Sequence, residues 1–176
     1  IAEMHRMSEQ HDAGDIDVGI LALPADTEGL ETRALYEDPF VLAAPAGHPL
    51  AQKAQVKTDD LQGATLLLLE DGHCLRDQAL DVCSRIDVHE KQDFRATSLE
   101  TLRQMVASGA GVTLLPELAT LGPYANARGM VTRHFAKPAP SRQIGAAWRK
   151  THARQPAIAA VIEAIGEQAL QPVRAR

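Results

Sequence analysis

The sequence predicts an α/β fold, in which buried strands alternate with amphipathic helices. Short uninterrupted apolar runs recur along the chain, and segments with helical periodicity lie between them. Runs of this kind are typical of strands that are covered on both faces. The predicted strands, in chain order, are residues 18–23, 40–44, 64–69, 112–115 and 144–148.

The helices between these strands have start and stop signals. The clearest start is Thr97-Ser98-Leu99-Glu100, where Thr97 is predicted to be the N-cap and Glu100 to reach back to it in a capping box. Gly109 and Gly111 supply a left-handed stop before the next strand. The last helix repeats apolar residues at i, i+3, i+4 and i+7, and we expect that face to pack on its own domain; its residues are Ile158, Val161, Ile162 and Ile165.

Two proline-containing stretches predict where the chain passes between lobes. Pro39 lies between two apolar runs, and residues 137–141 form the stiff stretch Lys-Pro-Ala-Pro-Ser. No repeat with a period of 20 to 50 residues is visible. We therefore expect two lobes joined by two crossings rather than a repeat array.

Composition excludes several classes of protein. The chain has 176 residues and a formal net charge of −5, and its 18 Lys and Arg are scattered, so this segment lacks the basic footprint of a nucleic-acid binder. The longest aliphatic run, residues 66–69, is far too short to span a bilayer, and no secretory leader is visible. These features favour the cytoplasm and no membrane partner. Two cysteines without a CxxC exclude a multi-bridge scaffold and a four-cysteine zinc site.

The segment from residue 68 to residue 83 carries the most chemical information. A buried strand runs into a turn at Asp71-Gly72, and a helix can begin near Leu75, which leaves Cys74 at or beside the helix N-terminus. The partial positive charge of a helix start, with His73 and Arg76 adjacent, favours thiolate over thiol. Cys74 is therefore a candidate for oxidation by peroxide.

The second cysteine is placed where a direct bond is difficult. Cys83 follows Cys74 by nine positions, which in a continuous helix separates the two Cα atoms by about 13 Å. A disulfide needs Cα atoms closer than about 7 Å. Oxidation of Cys74 to a sulfenic acid, followed by condensation with Cys83, would therefore require the segment to rearrange.

Other interpretations of these residues stay open at this stage. Two cysteines near a helix are often packed, inert thiols, and an isolated histidine such as His73 is often only a surface or hydrogen-bonded group. His73 and Cys74 could also be metal ligands, but zinc needs three or four ligands and the remaining histidines lack suitable spacing. We predict no metal site and no cofactor.

Longer motifs around these residues resemble the OxyR family of peroxide-sensing LysR-type transcription regulators. The resemblance runs from Gly14-Asp15-Ile16-Asp17 to the last helix, and GHCLRDQ is its most specific motif. The motifs are EDGHCLRDQA at 70–79 with Cys83, FRATSLETLR at 94–103 and GVTLLP at 111–116. The last two are weaker, since many LysR-type effector domains share them.

The resemblance implies a fold and a set of roles. The fold is a periplasmic-binding-protein-like (type II) effector domain of two α/β lobes joined by two crossover strands, with residues 1–37 and 141–176 in the first lobe and 38–140 in the second. Cys74 is implied to be the peroxidatic cysteine and Cys83 the resolving one. His73 and Arg142 match pocket residues that position peroxide and stabilise the thiolate. Arg76, two residues after Cys74, is expected to help to activate the thiolate.

The resemblance also implies partners and two departures. The partners are hydrogen peroxide, a homodimer or homotetramer, cellular thiol reductants, RNA polymerase, and promoter DNA through an N-terminal helix-turn-helix domain that this chain lacks. The opening strand and helix of the first lobe are also expected to be missing. Met4 aligns with a pocket threonine of the family and cannot form a comparable hydrogen bond.

Two competing functions remain beside a peroxide-sensing regulator, which would not be an enzyme. A LysR-type effector domain that binds a small organic ligand between its lobes would be stabilised by that ligand and unaffected by stoichiometric peroxide. A thiol peroxidase would use the same thiolate but consume peroxide continuously. The lack of a CxxC and the regulator-like framework argue against the peroxidase.

Overall fold

The computed structural model describes residues 16–25, 27, 29–84, 86–90, 95–121 and 127–169. Within these ranges, 3-10 helices cover Pro49–Gln52, Thr58–Leu61 and Glu117–Thr120. The α-helices are α1 (Cys74–Cys83), α2 (Leu99–Ala107) and α3 (Gln155–Ala169). The strands are β1 (Gly19–Leu23), β2 (Leu30–Pro45), β3 (Thr65–Leu66), β4 (His89–Glu90), β5 (Thr113–Pro116), β6 (Met130–His134) and β7 (Ser141–Arg149).

The chain divides into two compact units. The second unit is Pro39–Ser141, and the first contains the described residues up to Asp38 and from Arg142 onward. β2 therefore leads out of the first unit, and the start of β7 leads back into it. Both cysteines lie in the second unit.

The first unit is built on antiparallel strands and one helix. β1 pairs with β7 from Gly19 opposite Ala147 to Leu23 opposite Gln143, and β7 is also hydrogen-bonded to β2. The core of this unit contains Ala146, Trp148, Ile158 and Ile162. The predicted apolar face of the last helix is thus only partly right, because Val161 is 46% exposed while its neighbours at 158 and 162 are buried.

The second unit has a larger core around the end of β2. That part of β2 pairs antiparallel with β5, from Phe40 opposite Pro116, and with β6, from Val41 opposite His134. Residues 40–44 of β2 and the central residues of β5 are apolar and buried, whereas β6 has Thr132 and Arg133 near its centre and is mostly half-buried. The sequence did not predict β6 or the first half of β2, whose residues are mostly exposed or half-buried.

The predicted strand 64–69 is buried but divides its backbone pairing among several partners. Only Thr65–Leu66 forms a ladder, parallel with β4. Single bridges join Leu66 to Val112 and Leu69 to Ala96. The run from Leu66 to Leu69 is nonetheless almost fully buried. This buried run leads directly into the turn at Asp71-Gly72, which precedes the helix that contains both cysteines.

The α2 cap differs from its prediction by one residue. Ser98, not Thr97, is the N-cap, and its hydroxyl accepts a hydrogen bond from the Thr101 amide at 3.1 Å. With Ser98 as the N-cap, Glu100 is the N2 residue and does not occupy the N3 position of a capping box; its carboxylate accepts from the Gln104 side chain at 2.9 Å. A Ser and a Thr in succession offer equivalent hydroxyls, so the sequence alone could not select between them.

The two glycines after α2 serve different purposes. Gly109 has φ +88°, as the predicted left-handed stop requires. Gly111 does not adopt a positive φ, so that part of the prediction is wrong. A Cβ at Gly111 would instead lie 2.6 Å from the Thr65 carbonyl oxygen. Gly111 is therefore required because β3 approaches closely.

Candidate functional site

The start of α1 follows the predicted turn. Gly72 has φ +98°, a conformation that favours glycine, and His73 follows as the extended N-cap residue. Cys74 is the first helical residue, so the prediction that it lies at a helix N-terminus is confirmed. The Arg76 amide donates to the His73 carbonyl at 2.9 Å, which closes the first turn.

The two cysteines are free thiols in contrasting surroundings. Cys74 is exposed, whereas Cys83 is only 3% exposed and belongs to the core of the second unit. Burial raises the pKa of the Cys83 thiol from its ordinary value of 9.0 to about 11. Cys83 therefore remains a neutral thiol at physiological pH, and a neutral buried thiol is a poor nucleophile.

The thiols also face in opposite directions. α1 is continuous from Cys74 to Cys83, and nine residues at 3.6 per turn make about two and a half turns. Leu75 and Ala79 share the buried face with Cys83, while Asp77 and Asp81 are exposed like Cys74. For a bond to form between the two sulfurs, the distance between the two Cα atoms must fall from about 13 Å to less than about 7 Å. One of the two side chains must also move to the other face of the helix.

Arg76 contacts one carboxylate that precedes α1 in sequence and one that follows it. Its Nε lies 2.9 Å from Oδ1 of Asp71, and its Nη1 lies 2.9 Å from Oε1 of Glu90. The Nη1 contact is an ion pair without hydrogen-bond alignment, since that buried nitrogen has no hydrogen-bond partner. The Glu90 and Asp71 carboxylates raise the pKa of Arg76 above its ordinary value, against the effect of burial. Its predicted role in activating the Cys74 thiolate stays a prediction.

A second arginine joins the same two carboxylates. Arg95 donates to Oδ2 of Asp71, and its Nη2 lies 3.4 Å from Oε1 of Glu90. Asp71, Arg76, Glu90 and Arg95 thus form one cluster of two acids and two bases, here called the Arg76 network. Sequence analysis named Asp71 only as a turn residue and did not identify Glu90 or Arg95 as partners, because the pairing of β3 with β4 and the bridge at Leu69 bring those two residues to this place.

His73 has no side-chain capping bond. It is half-buried at the N-cap, and its imidazole makes no capping hydrogen bond to the first turn of α1. In this it differs from Ser98 at the start of α2. Its predicted role in positioning peroxide stays a prediction.

Arg142 lies in β7 and is fixed by an acid that sequence analysis did not identify. Its Nε and Nη2 donate to Oδ2 of Asp38 at 3.0 and 2.8 Å. Asp38 is only 2% exposed, and beside it burial and the Asp38 charge raise the pKa of Tyr36. A buried acid that accepts twice from one arginine orients the guanidinium rigidly. Arg142 belongs to the first unit and Cys74 to the second, so its pocket role stays a prediction.

Three further expectations concern a metal site, a membrane span and the N-terminal residues. Among the described residues, no group of three or more His, Cys, Asp or Glu could hold a metal ion. In the same part of the chain, no helix is both long and apolar enough to cross a membrane. Met4, the predicted departure from the family pocket, lies outside the described residues.

Comparison with known proteins defines the class. The chain belongs to the LysR substrate binding domain family, whose model matches residues 1–170. Its α/β fold is the periplasmic-binding-protein-like (type II) fold of that family, as the resemblance implied.

Within this family the chain is similar to OxyR, which confirms the resemblance seen in the sequence. It is 46% identical over 148 residues to the DNA-binding transcriptional dual regulator OxyR of Escherichia coli K12, covering 84% of this chain and 48% of that protein. It is 43% identical over 156 residues to a probable hydrogen peroxide-inducible genes activator of Mycobacterium leprae, covering 88% of this chain and 50% of that protein. The chain thus spans about half the length of these relatives.

Solved structures agree. The reduced form of OxyR matches with a TM-score of 0.80 and 41% identity, over 93% of this chain and 76% of that one. The oxidised form of OxyR matches with a TM-score of 0.77 and 42% identity, over 93% and 77%. The reduced OxyR regulatory domain from Pseudomonas aeruginosa matches with a TM-score of 0.82 and 34% identity, over 96% and 79%. These relatives are named as regulators of transcription, not as enzymes.

Proposed function

We propose that this chain is the sensing domain of a hydrogen-peroxide-responsive transcription regulator of the LysR type. One observation carries the proposal: an exposed free thiol begins the same helix in which a second free thiol is buried on the opposite face. The similarity to OxyR in both its reduced and oxidised forms supports it. Peroxide can reach the first thiol directly, whereas the second becomes available only after α1 changes.

The proposed chemistry has two steps. The Cys74 thiolate attacks one oxygen of hydrogen peroxide, so the O–O bond breaks, sulfur becomes a sulfenic acid, and hydroxide leaves and takes up a proton to form water. Cys83 sulfur then attacks the sulfenic sulfur, which forms the disulfide and releases the hydroxyl and the thiol proton as a second water. A cellular thiol reductant restores both thiols.

Four further residues are assigned roles in the first step. His73, at the N-cap, and Arg142 would position peroxide and stabilise charge at Cys74. The buried Asp38 would keep the Arg142 guanidinium oriented for that purpose. Arg76 would contribute positive potential at the helix start, although two carboxylates already share its charge.

The regulatory output is proposed to arise outside this segment. DNA contact would be made by another part of the full protein, because this chain is acidic overall and spans about half of its relatives. The change in α1 would be passed to a homodimer or homotetramer in the cytoplasm and from there to promoter DNA and RNA polymerase. No catalytic turnover of peroxide is required of a protein with this role.

The test is mass spectrometry of two single-cysteine variants after equimolar peroxide. Cys74→Ser should form no disulfide and leave Cys83 reduced. Cys83→Ser should carry one added oxygen on Cys74, which a sulfenic-acid probe such as dimedone captures. An unmodified Cys74 in the Cys83→Ser protein would contradict the proposal. It would favour an effector domain that binds an organic ligand, with incidental thiols.

A further inference from the structure

The Arg76 network connects α1 to the neighbouring strand pair and to the turn before the helix. Glu90 lies in β4, which pairs with β3, and Arg95 directly precedes Ala96, which exchanges backbone hydrogen bonds of 3.0 Å with residues 68 and 70. Asp71 follows in the adjoining turn. Arg76 is the one member of the network that lies between the two cysteines in sequence. The other three lie outside the segment that a disulfide must reshape.

Charge balance in the network depends on Arg76 staying in place. With α1 intact, two guanidinium groups face two carboxylates. If α1 unwinds and carries Arg76 away, Arg95 alone faces both Asp71 and Glu90. The Arg76 side chain is only 9% exposed and that of Glu90 only 21%. Solvent therefore screens the attraction between the two charges poorly. Departure of Arg76 is therefore opposed by an uncompensated carboxylate.

We propose that the Arg76 network is an electrostatic lock on the reduced conformation, which selectively slows disulfide formation and so sets the peroxide dose at which the domain switches. This inference rests on the proposed function, since it concerns the second of its two steps. The first step adds an oxygen atom to the exposed Cys74 and requires no movement of α1. The second requires α1 to open, and the opening breaks both contacts of Arg76.

The decisive variant is Glu90→Gln, which removes one charge while retaining nearly the same shape. Its matched control is Glu70→Gln, an equal charge change at an exposed residue beside the network but outside it. Stopped-flow oxidation followed by thiol trapping measures both steps. We expect Glu90→Gln to form the disulfide about tenfold faster, because it raises the population of open α1, and Glu70→Gln to match the native protein. Sulfenic acid formation, measured in a Cys83→Ser background, should change by less than about twofold in both.

Salt provides a readout that a purely packing role would not move. Part of the network is open to solvent, since the Asp71 side chain is 71% exposed. Raising ionic strength should therefore speed disulfide formation in the native protein and in Glu70→Gln, but have much less effect in Asp71→Asn, which lacks the exposed charge. A salt response that is identical in all three would contradict the lock.

Equilibrium and a second variant complete the test. A tenfold gain in the oxidation equilibrium corresponds to a midpoint potential about 30 mV more negative for Glu90→Gln. If that variant fails to fold when reduced, Asp71→Asn, on the exposed side of the network, should give a smaller shift in the same direction. Unchanged disulfide rates and potentials in a folded variant would overturn the lock alone. A Cys74 that resists peroxide in the Cys83→Ser background would overturn the proposed function and the lock together.

Discussion

The two ends of α1 place identical thiols in opposite environments. At the first turn, Cys74 is exposed, beside an N-cap histidine that makes no capping bond. At the last turn, Cys83 is buried in the core, and burial raises its pKa. The difference teaches that position along and around one helix is enough to separate a thiol that peroxide can reach from one that is withheld. In the intact helix, Cys83 is held in the core and away from solvent.

The contrast should be largest when a permanent charge is placed at each end. Cys83→Asp buries a carboxylate without a partner and should lower the free energy of unfolding by at least about 3 kcal/mol. Cys74→Asp should change it by less than about 1 kcal/mol, because that position is exposed and a helix start favours negative charge. Urea unfolding of the reduced proteins measures both. Equal losses would show that the two ends are not different in burial.

Alkylation rates sharpen the same comparison chemically. At pH 8, a thiol with a pKa of about 11 is ionised in about one molecule in a thousand, and Cys83 is also inaccessible. Iodoacetamide should therefore modify Cys74 at least about a hundredfold faster than Cys83 in the folded protein. In denaturant the two rates should converge, which is the internal control. Comparable rates in the folded protein would show that α1 already opens readily.

Alkaline pH should reveal how strongly the folded state favours the neutral Cys83 thiol over the thiolate. Its pKa is raised in the folded state, so the stabilisation is fully present below pH 9 and is lost as pH rises through about 11. The difference amounts to about 3 kcal/mol, because each pKa unit corresponds to about 1.4 kcal/mol. Other groups titrate in this range, and subtracting the profile of Cys83→Ala isolates the thiol. A profile identical to that of Cys83→Ala would contradict the shift.

The smallest effect concerns the helix starts. Ser98→Ala removes the cap of α2 and should cost about 1 kcal/mol. His73→Ala removes no capping bond from α1 and should cost less than about 0.5 kcal/mol. Thermal unfolding of the reduced variants distinguishes the two. A cost at His73 as large as at Ser98 would mean that its side chain stabilises α1 in the reduced state.

Much of this arrangement could be predicted from local sequence. The strand, the Asp71-Gly72 turn and the helix start at Cys74 follow from apolar runs, a glycine that needs positive φ and helical patterning. The first half of β2 could not be predicted, because it mixes polar and apolar residues and is partly exposed, so no apolar run marks it. The core strand 64–69 was predicted, but its division among three partners depends on tertiary pairing.

The candidate site residues could be identified from the sequence, but the residues that contact them could not. His73, Cys74 and Cys83 lie within eleven consecutive residues, and Arg142 came only from the family resemblance. Asp38, more than a hundred residues before Arg142 in sequence, carries no local signal for its hydrogen bonds. Glu90 likewise reaches Arg76 through the β3–β4 pairing, and the bridge at Leu69 brings Arg95 to Asp71 and Glu90. Long-range electrostatic partners of this kind have no periodicity that a single sequence could display.

Hydrogen exchange of the α1 backbone, read by mass spectrometry before and after peroxide, tests the central claim most directly. If the disulfide requires the helix to open, amides between residues 74 and 83 should lose protection in the oxidised native protein. They should keep it in Cys83→Ser, where Cys74 is oxidised but no disulfide can form. A protein that is fully disulfide-bonded and still protects those amides as strongly as the reduced form would contradict the account.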